Sequence, residues 1–198
     1  MIDIPQLDKQ IVDLIKPDFV NGPWICGGAC MSWIQGQELP AYRDIDVYFK
    51  NETQWHLFVT QMKKIYVDTN GKFSYTHVTE TDNSLTFWLK AAGHQWTIQA
   101  IKLYYSETIE EIFSKFDITA CKIATDGNTF KVGSSETVNH IFNKIIDIPD
   151  LKLNSVARVI KYLAKGYTLT EETYDKLSAS TTTVWDFKYD TGIEYSEQ

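Results

Sequence analysis

Gly27-Gly28-Ala29-Cys30 and, after a short insert, Arg43-Asp44-Ile45-Asp46-Val47-Tyr48-Phe49 decide how this chain is read. Ile45, Val47 and Phe49 alternate with Asp44, Asp46 and Tyr48, the period of a half-buried strand. On such a strand Asp44 and Asp46 leave one face while Ile45 and Val47 enter the core. Two carboxylates at this spacing are hard oxygen donors suited to magnesium. Phosphoryl-type transfer needs metal charge close to both the attacking oxygen and the leaving group. Trp24-Ile25-Cys26 reads as a short strand running into the Gly27-Gly28 turn, and Ala29 to Gln35 as a helix closed by Gly36. The glycines let backbone approach phosphate oxygens without a side-chain clash, and the helix behind them offers free N–H groups. An isolated Asp-x-Asp is usually a solvated strand face, and an isolated Gly-Gly says less. Their order, strand, Gly-Gly, helix, loop, acidic strand, is what makes them a candidate site.

Outward from this core the chain predicts a mixed α/β part followed by a small helical part. Residues 5–16 read as a helix with Leu7, Ile11, Leu14 and Ile15 as its apolar stripe, ended by Pro17. Residues 52–64 read as a helix with Trp55, Phe58, Val59 and Met62 inward. Strands are expected over 65–69, 73–78, 84–90 and 95–104, separated by glycine, aspartate and asparagine turns. A helix follows over 105–116 with Ser106 as its N-cap. Residues 118–124 are apolar and fit strand or helix, and Asp126-Gly127-Asn128 marks a turn in a hairpin ending near Val132. The remainder is expected to be helical, over 135–145, 154–165 and 170–178, before a Ser/Thr run and the aromatic stretch Val184 to Tyr189. This gives an α+β fold: a head over 1–133, a helical neck-like segment over 134–180 and a tail over 181–198.

Composition narrows the function classes. With 26 acidic and 19 basic side chains the net charge is −7, which argues against indiscriminate grip on nucleic-acid backbone and leaves room only for a local basic patch. Cys26, Cys30 and Cys121 have no disulfide-like or CxxC spacing, so a reduced compartment is expected. The N-terminal residues lack a basic region followed by an apolar run, and no stretch approaches a membrane span, so a cytoplasmic setting is expected, a host cytoplasm for a viral protein. His56, His77, His94 and His140 are scattered, which argues against zinc. Thr119 and Cys121 read as packed core. Lys50 closes the acidic strand and reads as a surface lysine or a phosphate contact.

Gly27-Gly28-Ala29-Cys30 with Asp44-Ile45-Asp46, then Phe116-Asp117-Ile118-Thr119-Ala120-Cys121, then Ala157-Arg158-Val159-Ile160-Lys161-Tyr162-Leu163 come in one order. In that order the chain resembles the head and neck of the bacterial poly(A) polymerase and CCA-adding enzyme group of the nucleotidyltransferase superfamily. The resemblance covers roughly residues 20–175. It implies a nucleotidyltransferase-like mixed β-sheet backed by helices. It also implies metal-dependent transfer of an NMP from an NTP to an RNA end, a small molecule or a protein. Asp44 and Asp46 are then the catalytic, metal-binding pair for Mg2+ or Mn2+. Gly27, Gly28, Asp117, Arg158 and Lys161 are the nucleotide-binding candidates. Each has a plainer reading too: Asp117 as a turn aspartate, Arg158 and Lys161 as a solvated basic face.

The chain also departs from that pattern. Met31 and Ser32 stand where the group has Arg-Asp, Lys115 and Phe116 where it has two arginines, and Gln99 where many relatives carry a glutamate. About 30 residues follow Gly166, too few for the helical body that grips tRNA in such enzymes. The departures support a second reading, a binding or inhibitory protein that kept the fold without turnover. A third is a toxin-like transferase acting on tRNA or on a partner protein.

Overall fold

The computed structural model describes residues 3–40, 43–152 and 155–180. Its centre is a seven-stranded mixed sheet in the order β3-β4-β5-β2-β1-β6-β7. The strands are β1 (Trp24–Cys26), β2 (Asp44–Tyr48), β3 (Ser74–Glu80), β4 (Ser84–Ala91), β5 (His94–Ile101), β6 (Ile123–Thr125) and β7 (Phe130–Val132). β2 and β5 run parallel, and every other neighbouring pair is antiparallel.

Alternation along the strands builds a core on one face of the sheet. Ile25, Ile45, Val47, Phe87, Leu89 and Ile98 are fully buried there. Helices α1 (Gln6–Ile15), α2 (Gly28–Trp33) and α3 (Glu52–Lys63) supply the facing apolar residues, including Ile11, Trp33 and Phe58. α1 buries the carboxylate of Asp8 completely. Its oxygens accept from Trp33 Nε1 at 2.9 Å, Trp96 Nε1 at 2.8 Å and the Leu39 N–H at 2.8 Å. This one carboxylate joins α1, α2 and β5.

The other sheet face is covered only in part. Trp24, Cys26, Tyr48 and Ala124 project from it into a smaller core closed by α5 (Ile109–Lys115) and Phe116. The N-cap of α5 is Thr108, whose Oγ1 accepts from the Glu111 N–H at 3.3 Å; Ser106, expected in that role, is buried three residues before the helix. Toward β3, β4 and β5 this face is open.

Residues 65–69, expected as a strand, form the short helix α4 (Ile65–Asp68). It continues directly from α3 through Lys64, which keeps αR geometry. Residues 118–124 split into a 3-10 turn over Thr119–Cys121 and then β6, and β6 and β7 make the expected hairpin. Beyond it lie α6 (Ser135–Phe142), α7 (Ser155–Leu163) and α8 (Glu171–Ser180). Two short strands, β8 (Ile145–Ile146) and β9 (Thr168–Leu169), pair in parallel among these helices, where the sequence predicts helix alone. The aromatic stretch Val184 to Tyr189 lies outside the described residues.

Candidate active site

The glycine turn leaves β1 at the level of the acidic pair, because Cys26 is registered against Asp46. Gly27 has φ +80°, a region that side-chain-bearing residues rarely adopt, and its N–H donates to Ile123 O at 2.9 Å. Gly28 has no such constraint. A Cβ there would sit 3.7 Å from Arg43 Nη1, an ordinary contact, so internal packing does not demand glycine at 28. Arg43 lies against the turn here, its Nη1 donating to Gly28 O at 3.5 Å. α2 is six residues long, and its first-turn N–H groups have no partner within the helix.

Asp44 and Asp46 share the open face of β2, as the alternation predicts, with Ile45 and Val47 fully buried behind them. Burial and the neighbouring Asp44 charge push the Asp46 carboxyl up to about 7, while Lys161 and Arg158 pull it down. Burial also raises Asp44, against the attraction of Lys161, Arg43 and Lys165. Two carboxylates this close and partly out of water hold more negative charge than their surroundings offset. The arrangement favours a proton or a cation between them.

The cations come chiefly from α7. Arg158 Nη1 donates to Asp117 Oδ1 at 2.7 Å. The Asp117 carboxylate is 1% exposed, and it also accepts from Ser155 Oγ at 2.8 Å and the Ile118 N–H at 3.0 Å. Burial works against the guanidinium charge, but Asp117 more than offsets it and raises Arg158. Arg158, Lys161 and Lys165 stand at i, i+3 and i+7, one helical face. Lys165 lies just past α7 in a continuing turn, its N–H donating to Tyr162 O at 2.9 Å. Burial and the repulsion of Arg43 and Lys161 push the Lys165 ammonium below its ordinary value. Arg43 and Lys165, with Lys144, Tyr162 and Tyr167, line a cavity of about 140 Å3.

Thus the seven sequence-derived candidates gather in one region: Asp44, Asp46, Gly27 and Gly28 on the sheet side, and Asp117, Arg158 and Lys161 on the α7 side. Arg43 and Lys165 join them without having been singled out. Their signal was present, since Arg43 immediately precedes Asp44 and Lys165 continues the Arg158–Lys161 helical spacing. Lys50 lies elsewhere, 4.0 Å from Glu107. Thr119 Oγ1 is committed to Asp147 Oδ2 at 2.7 Å. Burial pushes the Cys121 thiol up to about 11 and Cys26 and Cys30 higher still, so none of them is a ready nucleophile.

Whether the residues suit a metal follows from the donor set. Among the described residues no cluster of three His, Cys, Asp or Glu side chains forms a metal cage. Gln99 is registered directly beside Asp46 and adds a neutral amide, not a charge. Magnesium is commonly held by one or two carboxylates together with substrate phosphates and water. Asp44 and Asp46 therefore fit a divalent cation that arrives with a polyphosphate, and fit a resident ion poorly.

Comparison with known proteins agrees with this architecture. The structure is similar to a Thermotoga maritima CCA-adding enzyme complexed with tRNA, with a TM-score of 0.53 and 14% identity over 80% of this chain and 37% of that one. It is also similar to a CCA-adding enzyme in complex with ATP, with a TM-score of 0.54 and 13% identity over 80% of this chain and 38% of that one. At these identities the likeness establishes a nucleotidyltransferase-type fold. Among the described residues no helix is long and apolar enough to cross a membrane. In sequence the chain is 26% identical over 179 residues to Gabija anti-defense 2 of Bacillus phage SPbetaL7, covering 86% of this chain and only 39% of that relative. Residues 6–144 match the sequence pattern of one family across β1, the glycine turn, the acidic strand and the whole seven-stranded sheet; the chain belongs to the Gabija anti-defense 2 family.

Proposed function

We propose that this chain is a metal-dependent nucleotidyltransferase that moves an NMP from an NTP to an acceptor, and that this transfer serves phage counter-defence against Gabija. The observation that carries the reading is the opposition of two charge sets: Asp44 and Asp46 on the open face of β2, and Arg158, Lys161, Lys165 and Arg43 within electrostatic reach of them. A polyphosphate bound with a divalent cation satisfies both sets at once. Mg2+ or Mn2+ held by Asp44 and Asp46 would neutralise charge on the α-phosphate and on the leaving oxygen. Gly27 and Gly28 leave backbone open to the phosphate oxygens. Arg158 and Lys161 take the outer phosphates, and Asp117 acts through Arg158 by fixing its guanidinium. The setting on this reading is the cytoplasm of the infected cell.

The test is transfer of label from each α-32P-labelled NTP, with Mn2+, into cell extract. Wild type is expected to transfer label, and Asp44→Asn to lose at least ~100-fold of the rate with its circular dichroism unchanged. Undiminished transfer by Asp44→Asn overturns the assignment.

One observation favours a second reading, a binding protein without turnover. Gln99 stands beside Asp46, where a third carboxylate would strengthen metal binding. On that reading Asp44→Asn retains full protection of phage in a plaque assay on Gabija-bearing cells. On the transferase reading it loses that protection.

A further inference from the structure

The open sheet face beside the acidic pair has a chemistry of its own. Strand register lays two rows across it. One runs Asp46, Gln99, Thr86, Thr79, and the other Asp44, Thr97, Trp88, His77, each crossing β2, β5, β4 and β3 in turn. With strands ~4.8 Å apart, each row extends roughly 14 Å from its aspartate. Except for Asp46 and His77, the residues of these rows line a cavity of about 580 Å3, widened by Ser84 and Gln95. Asp44 is the one charged residue lining it, and Lys90, registered opposite Gln95, is exposed at its margin. Trp88 is half-buried, with its ring 5.1 Å from that of His77.

This face differs sharply from the α7 side. There Arg43, Lys161 and Lys165 have no ion-pair partner within 4.0 Å among the described residues, while the sheet floor offers hydroxyls, amides and an aromatic surface. In an in-line displacement the attacking and leaving oxygens lie on opposite sides of the phosphorus. Pyrophosphate leaving toward the cations therefore puts the acceptor on the neutral floor. A nucleic-acid acceptor draws most of its affinity from a row of cations along its backbone, and the floor offers a single one at its margin, Lys90, registered opposite Gln95. A polypeptide suits it: backbone amides can pair with Thr86, Thr97, Gln95 and Gln99, and an apolar side chain can lie on Trp88.

We propose that the β3–β5 floor is the acceptor site and that the acceptor is a hydroxyl side chain of a polypeptide. This rests on the transferase reading above. The acceptor oxygen bonds to the α-phosphorus of the NTP, and the bond from that phosphorus to the β-phosphate bridging oxygen breaks. Pyrophosphate leaves with the electron pair, and the hydroxyl proton passes to water. The product is a polypeptide carrying an NMP phosphodiester.

The test uses the full chain, Mn2+ and α-32P-labelled NTPs in cell extract, with the products divided between ribonuclease and protease digestion. The expected label is ribonuclease-resistant and protease-sensitive, and mass spectrometry places the NMP on a Ser, Thr or Tyr hydroxyl. Trp88→Ala and Gln95→Lys are expected to reduce this labelling at least 10-fold while leaving NTP binding, measured by calorimetry, unchanged. Thr97 is 5% exposed, so the two half-exposed positions are the safer variants for folding. Label in RNA overturns the acceptor proposal and leaves the transferase reading standing. Equal loss of NTP binding in the floor variants also overturns it, because the floor would then hold the nucleoside. Labelling in no fraction overturns both.

Discussion

Arg158 Nη1 donates to Asp117 Oδ1 at 2.7 Å, joining a buried carboxylate to a guanidinium whose side chain is 48% exposed. The pair spans 41 residues of sequence and holds the first turn of α7 against the segment that follows α5. Asp117 spends its oxygens inside the protein, so its effect on a ligand passes through Arg158.

Arg158→Met should separate the two roles. It keeps the aliphatic length but strands the Asp117 charge, which retains only Ser155 and the Ile118 N–H. The expected loss is about 2 kcal/mol in urea unfolding, because breaking a buried pair from one side leaves an unpaired charge. NTP affinity is expected to fall about 10-fold by calorimetry, the scale of one charge-assisted contact. The double variant with Asp117→Asn should recover most of the stability and none of the affinity. Recovery of both would mean that Arg158 does not contact the ligand.

Asp46 carries the pH dependence. Its carboxyl is pushed up to about 7 in the folded protein, chiefly by burial and then by Asp44, against an unfolded value of about 3.9. Between those values the folded state binds a proton that the unfolded state does not. Stability therefore falls as pH rises from about 4 to about 7 and levels off above. Asp46→Asn removes this dependence. It should be more stable than wild type at pH 8, on the order of 2 kcal/mol, and nearly equal at pH 4. Chemical denaturation at the two pH values checks this. Mn2+ with an NTP should raise the Tm of wild type at pH 8 and leave Asp46→Asn unmoved.

Much of this was readable where one physical cause acted alone. Ile45 and Val47 had to face a core, so the alternation of β2 put Asp44 and Asp46 on one face. The Asp126-Gly127-Asn128 turn is fixed locally, with Asp126 Oδ1 accepting from the Asn128 and Thr129 N–H groups. Reading failed where a neighbouring element decided. Ile65 and Val67 have strand-like side chains, yet α3 runs straight into α4, and only Ile65 of that helix is buried. The paired strands β8 and β9 are two residues each, too short to show any period. Ser106 and Thr108 are both plausible caps in sequence, and α5 begins after the second because Ile109, Ile112 and Phe113 are the residues that reach the small core. Lys165 falls within the helix expected over 154–165; α7 itself ends at Leu163, and the turn that follows carries Lys165 onto the Arg158–Lys161 face.

That cation row predicts a graded charge dependence. Lys165→Ala should weaken ATP binding by about 10-fold, ADP by less and AMP hardly at all, since each ionic contact acts on the outer phosphates. Arg43→Ala should follow the same order. Isothermal titration at two salt concentrations gives the ranking, and the wild-type affinity should be the more salt-sensitive. Equal losses for ATP and AMP would place Lys165 on the nucleoside instead.

Asp8 tests how the site's scaffold is held. It is fully buried and receives Trp33 Nε1, Trp96 Nε1 and the Leu39 N–H. Asp8→Ala leaves three donors in the core without acceptors, and each buried unsatisfied group costs on the order of 1–3 kcal/mol. Partial rearrangement would recover some of that sum, so the expected net loss is about 4 kcal/mol in urea unfolding. Asp8→Asn can keep its oxygen toward Trp33 Nε1 and the Leu39 N–H but then turns an NH2 toward Trp96 Nε1, so it should recover only part of the loss. Trp33→Phe removes a donor together with its demand. Its own loss should come mainly from the smaller ring, and combined with Asp8→Ala it should cost less than the two single losses added. Simple additivity would mean that the carboxylate and the indole act independently, and the hub joining α1, α2 and β5 behind Gly27 and Asp44 would not exist as a unit.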